Sequence, residues 1–177
     1  MAAIPTYRTW VAGEVVTADE MNTNIRDAGN FWLARPLAVL YQGSGQSTSH
    51  ATWTNILFDA EVIDRDGGHS LVTNTERYTS PTAGYLVIAG GVSFVNNVAG
   101  IRGAASALNG TRTYSSVLSN PINGAPSGVP CKTFVVAVNG ATDWLTIQGY
   151  QSSGGALNTD VSPGYQSCMV VYWVCDL

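Results

Sequence analysis

Few side chains in this sequence are placed to do chemistry. His50 and His69 are the only histidines, and neither is half of an H-x-x-x-H or H-E-x-x-H pair, so a zinc site would have to gather ligands from afar. A nucleophile made of Cys131 or Cys168 with either histidine has no motif behind it, and the cysteines read as small buried hydrophobes in a reducing compartment. In one extended strand Cys168 and Cys175 would point to opposite faces roughly 23 Å apart, beyond disulfide reach. The run "FDAEVIDRDGGH" gathers Asp59, Glu61, Asp64 and Asp66 beside a Gly-rich turn, where carboxylates can surround calcium. It lacks the x5-E spacing of a calcium loop, and Asp-Gly is ordinary turn chemistry. A glycan hydrolase needs two carboxylates facing each other across a groove, about 5 to 9 Å apart. Asp143 and Asp160 or the Asp59 to Asp66 group are available for that, yet no spacing demands it. Neither a G-x-S-x-G elbow nor a phosphate-binding loop is present. The expectation is a non-enzymatic protein with no cofactor and no metal.

The elements that would position such residues are one helix and many strands. Thr17 and Glu20 form a T-x-x-E capping box, and Val16 and Met21 hold the positions of a hydrophobic staple. Met21, Ile25, Ala28 and Trp32 follow at spacings of four, three and four, which predicts one apolar stripe. Gly29 weakens this helix and Pro36 ends it. At about 16 residues it cannot stand alone and must pack on something.

After Pro36 the period becomes two. "LAVLYQ", "WTNILFDAEVI", "HSLVTNTERYTS", "GYLVIAGGVSFVNN", "IRGAASALNGTRTYSSVL", "CKTFVVAVNG", "DWLTIQGYQ" and "CMVVYWVC" read as strands between turn-rich segments, and Asn109-Gly110 is a two-residue hairpin signal. Short strands with regular turns and no second helix predict an all-β fold, a β-sandwich or jelly roll, preceded by an N-terminal arm and one α-helix. In the last strand Met169, Val171 and Trp173 take one face and Val170, Tyr172 and Val174 the other. A strand with no polar side must be covered on both faces, by its own chain or by a neighbouring one.

Composition points the same way. Of the 177 residues 11% are charged and 45% hydrophobic, so subunits covering one another, or a neutral polar surface, must keep this surface in order. Net charge is -4 and the basic residues are scattered singly, which excludes nucleic acid as a partner. The opening "MAAIPTYRTW" has no signal-peptide core and later apolar runs are strand-sized, so neither secretion by a signal peptide nor membrane insertion is expected.

The stretch from Trp53 to Phe94 resembles the first half of the complement component 1q and tumour-necrosis-factor jelly-roll superfamily. Arg77, Tyr78, Thr79, Pro81, Ala83, Gly84 and Tyr85 carry that likeness, and "RGAASALNGT", "NGATDWLTIQGYQSSGGAL" and "SCMVVYWV" extend it to Val174. Thr142 stands where the family has the Gly of a Gly-Asp turn, before Asp143. The resemblance implies a homotrimer, with Tyr85, Tyr150, Val171, Tyr172 and Trp173 in trimer or core packing.

The segment "RTWVAGEVVTADEMNTNIRDAGNFWL" resembles the start of virion proteins of tailed bacteriophages. That likeness implies a structural protein of the virion, with residues 1–36 as an attachment arm and 37–177 as a trimerisation and recognition domain. Trp10, Val16, Met21, Ile25, Phe31 and Trp32 are the expected particle-docking residues. The implied partners are other copies of the chain, other virion proteins of tail or capsid, and a glycan on the host cell surface. The sequence leans to a tail fibre or tip protein, with head decoration as the alternative and a glycan-binding or hydrolysing module behind both.

Overall fold

The computed structural model describes residues 4–5, 7–112 and 116–177. The helix begins where the capping box puts it. Thr17 has extended backbone, its side chain accepts from the Glu20 amide, and the Glu20 carboxylate returns to the Thr17 amide at 2.9 Å. Segments α1 (Ala18–Met21) and α2 (Asp27–Leu33) are joined by a π-helical turn, Asn22–Arg26. The cause is local: Asn24 donates its side-chain amide to the Glu20 carbonyl at 2.9 Å, taking an acceptor from the ordinary ladder. The Asp27 amide then reaches back five residues to the Asn22 carbonyl.

That wider turn overturns the single stripe. A five-residue π turn lags an α-helix by a rotation on the order of 90°. Ala28 and Phe31 are therefore brought onto the sandwich and buried, while Met21, Ile25 and Trp32 stay exposed. Phe31, expected to dock on a particle, is instead 3% exposed and part of the core.

The strands are β1 (Leu37–Tyr41), β2 (Ser47–Thr48), β3 (Thr54–Asn55), β4 (Ala60–Asp64), β5 (Tyr78–Thr79), β6 (Gly84–Phe94), β7 (Arg102–Leu108), β8 (Thr111–Arg112), β9 (Val117–Ser119), β10 (Ser127–Pro130), β11 (Phe134–Val138), β12 (Trp144–Gln151), β13 (Leu157–Asn158) and β14 (Cys168–Cys175). One sheet runs β10-β6-β14-β1-β4, with β11 also on β6; the other runs β3-β12-β7-β8, with β5 on β12 and β9 on β7. They face each other through Leu40, Leu86, Ile88, Phe94, Met169 and Val171 on one side and Tyr78, Ala104, Leu145 and Ile147 on the other. Gly149 permits the close approach, since a Cβ there would meet Val92, Ile56 and Phe94 at 3.0–3.2 Å. This is the jelly-roll β-sandwich expected from the strand pattern and the family resemblance together. No helix among the described residues is long and apolar enough to cross a membrane.

One predicted strand is absent. "HSLVTNTERYTS" is a loop apart from the His69 to Tyr78 bridge and β5, and Leu71 and Val72 are exposed. Ser70 Oγ accepts from the Val72 and Thr73 amides and Asn74 takes φ 51°, so side chain and backbone close a turn that competes with the ladder. The strand read across "IRGAASALNGTRTYSSVL" turns at Asn109 (φ 51°) and Gly110 (φ 77°), as the hairpin signal requires. Its residues 113–115 lie outside the described residues.

Candidate interaction surface

The carboxylates and histidines weighed for chemistry are engaged in holding loops. Asp59 accepts from the Gly43 and Ser44 amides. Asp64 accepts from the Gly68 and His69 amides at 3.2 and 2.9 Å. Glu61 Oε1 lies 2.9 Å from Nδ1 of the buried His69, whose Nε2 is 3.0 Å from the Thr75 carbonyl. The Tyr78 hydroxyl donates to Asp66 at 2.8 Å; burial, then the Asp66 carboxylate, push the phenol far above its usual range, and burial raises Asp66 in turn. The four carboxylates on this short run are thus engaged within the fold, Glu61 and Asp64 both on His69. Among the described residues no group of three His, Cys, Asp or Glu side chains is placed to hold a metal ion.

Asp143 closes the turn whose Gly is missing. It accepts from the Asn139 amide at 2.9 Å and from the Asn109 side chain at 2.8 Å, while Asn139 Oδ1 takes the amides of Ala141 and Thr142. Asp160 holds the amide and hydroxyl of Ser162. His50 Nδ1 accepts from the Gly154 amide at 3.0 Å. All three cysteines are free thiols, and burial pushes Cys131 up to about 11, which leaves it protonated and a poor nucleophile.

What remains is a surface. On β14 the inward Met169, Val171 and Trp173 are buried, but outward Tyr172 and Val174 are 45% and 37% exposed. The neighbouring strands continue that face in register. Val135, Val87, Tyr172 and Leu37 form one row across β11, β6, β14 and β1. Ala89, Val170, Val39 and Ile63 form a second, and Gly91, Cys168, Tyr41 and Ala60 a third. Tyr85, 40% exposed, sits opposite Ala137 beyond the first row. No charge falls in these rows. Val135 and Tyr172 are exposed, Val87 is buried and the rest of the rows are half-buried, which makes this uncharged face a candidate contact surface.

The residues expected in trimer or core packing therefore divide. Val171 and Trp173 are core, and Tyr85 and Tyr172 are on the open face. Tyr150 belongs to the other sheet, its ring tilted against Trp53 at 5.3 Å, away from this surface. Sequence reasoning missed Val135 and Leu37 as members of the face; their alternation with buried neighbours was the available signal.

The N-terminal segment adds a second exposed patch. Arg8 pairs with both Glu14 and Glu20 and lies 4.8 Å over the Trp10 ring, folding the arm into a hook that displays Trp10, Val11, Val15 and Val16. Backbone and side-chain hydrogen bonds to Thr17, then Arg8, pull Glu20 from 4.5 down to about 2. A depressed carboxyl contributes stability above its unfolded value and loses it as pH falls through the folded one. The hook and cap are thus expected to loosen between about pH 4.5 and 2, read as faster exchange of the Thr17 and Glu20 amides. Glu20→Gln should abolish that pH dependence.

No protein-family model matches the sequence, and no curated protein matches it. Among solved structures the chain is similar to murine APRIL at pH 5.0, with TM-score 0.59 and 12% identity over 79% of this chain and 99% of that one. The murine APRIL structure at pH 8.5 gives 0.54 and 16% over 77% and 98%. Eiger TNF from S. frugiperda gives 0.52 and 12% over 81% and 96%. At such identities the likeness establishes the fold alone, a TNF-like jelly roll.

Proposed function

We propose that this chain is a non-enzymatic structural protein of a tailed-bacteriophage virion, a homotrimer whose N-terminal segment attaches to the particle and whose jelly roll forms a tail-fibre or tip head for host recognition. The observation that carries the self-association is the uncharged outer face of the β14 sheet, with Tyr172, Val174 and Tyr85 open to solvent in one chain. Copies associating through that face remove it from water, and a closed ring leaves no open apolar edge. Trp10 and Val16 on the Arg8-bound hook support attachment, because a pre-organised apolar hook loses little entropy on docking. The likeness of "RTWVAGEVVTADEMNTNIRDAGNFWL" to virion proteins supplies the particle.

In solution the reading expects a mass about three times the 18.7 kDa of one chain, measured by light scattering at micromolar concentration. A single-chain mass would remove the trimer. Electron microscopy of particles carrying the labelled protein is expected to place the label at the tail tip; label over the head would make it a decoration protein instead.

A further inference from the structure

The exposed side of the N-terminal helix is a second apolar face with its own period. Met21, Ile25, Gly29 and Leu33 follow at intervals of four, and all are exposed; Leu33 is 82% so. The face opposite serves the sandwich through Ala28 and Phe31, and a helix apolar on two sides is a buried helix. Gly29 identifies what covers it. Its φ is not positive and a Cβ there would meet nothing within 4 Å, so nothing in its own chain requires glycine. A mid-helix glycine is destabilising relative to alanine, and what it offers in return is close approach of another backbone.

Several observations make that backbone a second copy of this chain. The helix is held on the sandwich: Arg65 donates to the Leu33 carbonyl at 3.3 Å, and buried Phe31 meets Trp173 at 5.0 Å. Its end adjoins the open sheet face, since Trp32, Leu33, Leu37 and Tyr172 line one hollow of about 170 Å³, with Arg35 lying over the Trp32 ring and Arg65 on the Leu33 carbonyl at its edge. Like charges would face each other between identical helices, yet Arg26 is paired with Asp27 at 2.9 Å and Glu20 with Arg8. We infer that the helices of the associated chains pack on one another through Met21, Ile25, Gly29 and Leu33, with Gly29 at the closest crossing. This rests on the trimer reading above, and it leaves the hook of Trp10, Val11, Val15 and Val16 as the part free to meet the particle.

The test uses the purified full chain alone, so no other virion protein can occupy the face. Ile25→Glu with Leu33→Glu, and separately Gly29→Phe, are compared with wild type and with Tyr172→Glu by sedimentation over a dilution series. The substituted positions are exposed in the single chain, and circular dichroism checks the fold. Expected is a rise of at least about tenfold in the concentration of half-association for both helix variants. Should the charged pair fail to fold, Gly29→Phe, with open space around it, decides. Helix variants that associate as tightly as wild type while Tyr172→Glu dissociates overturn the helix contact and leave the trimer standing. A wild-type chain that sediments singly overturns both.

Discussion

Phe31→Ala is expected to lower the unfolding free energy by about 3–5 kcal/mol, the range for truncating a buried aromatic. The ring is 3% exposed and meets Trp173 edge-on at 5.0 Å and 88°. Such aromatic pairs contribute beyond their buried area by roughly 0.5–1.5 kcal/mol. Little can move in to fill the gap, because Trp173 is held by its indole N–H to the Ala83 carbonyl at 2.9 Å and by its amide to the Pro36 carbonyl at 3.0 Å. The melting temperature of a domain this size should fall by roughly 6–20 °C, at about 2–4 °C per kcal/mol. Thermal and urea unfolding at one fixed protein concentration measure it. Phe31→Leu should cost less than Phe31→Ala, because it keeps much of the buried apolar volume while losing the ring contact with Trp173. A cost for Phe31→Ala under about 1 kcal/mol would mean the helix only rests on the sandwich.

The same packing bears on how separable the two regions are. Residues 1–36 were expected to act as an attachment arm, and their hook and outward helix face are open to partners. Phe31 nonetheless belongs to the same cluster as Leu86, Val171 and Trp173. Cutting before Leu37 removes one wall of the Trp173 site, so loss of attachment in a truncated chain would not separate docking from folding. Substitutions at Trp10 or Val16 are cleaner, since both side chains are exposed.

Features set by neighbours in sequence were legible in the sequence; features set by a single intruding side chain were not. Thr17 and Glu20 cap the helix as their spacing requires, and Asn109-Gly110 turns the hairpin with both φ positive. The alternation of Met169, Val171 and Trp173 against Val170, Tyr172 and Val174 separated the two faces of the last strand, because strand period depends only on backbone geometry; which of them is core came from the structure. The helix stripe failed at Asn24, whose amide takes the Glu20 carbonyl and rotates Phe31, not Trp32, into the core. Tyr150 could not be assigned to a sheet from its own strand, since both sheets present apolar strands of the same period. Asp143 shows the converse case: the missing Gly is replaced by an Asn139 that gathers amides, a substitution of one turn chemistry for another.

Nothing in "IRGAASAL" marked Arg102 for burial, yet it is the largest fully buried side chain in the molecule's described part. Its guanidinium is answered by backbone carbonyls and not by a carboxylate. Nη1 donates to Ala99 at 2.9 Å and Ile101 at 3.1 Å, and Nη2 to Asn97 at 2.6 Å; Nε has no hydrogen-bond partner among the described residues. The ring of Phe94 lies 5.9 Å away. A buried charge so placed is costly in itself, and what it secures is the loop Asn97–Ile101, curled around the fork. Arg102→Ala is expected to cost about 3–5 kcal/mol, because it strands the carbonyls in a cavity where each unpaired polar group costs about 1–3 kcal/mol. Arg102→Met, which keeps the volume and removes only the donors, should cost less, about 2–3 kcal/mol. Denaturant unfolding gives the totals, and amide exchange across residues 95–101 should rise in both variants before the rest of the sandwich opens. The loop is pinned at its far end by the Ile101 amide on Ser152 Oγ at 2.9 Å and by the Ser152 amide on the Ile101 carbonyl at 3.1 Å, so opening should begin at Asn97. If Arg102→Met proves as stable as wild type, water already satisfies these carbonyls and the guanidinium is not what orders the loop.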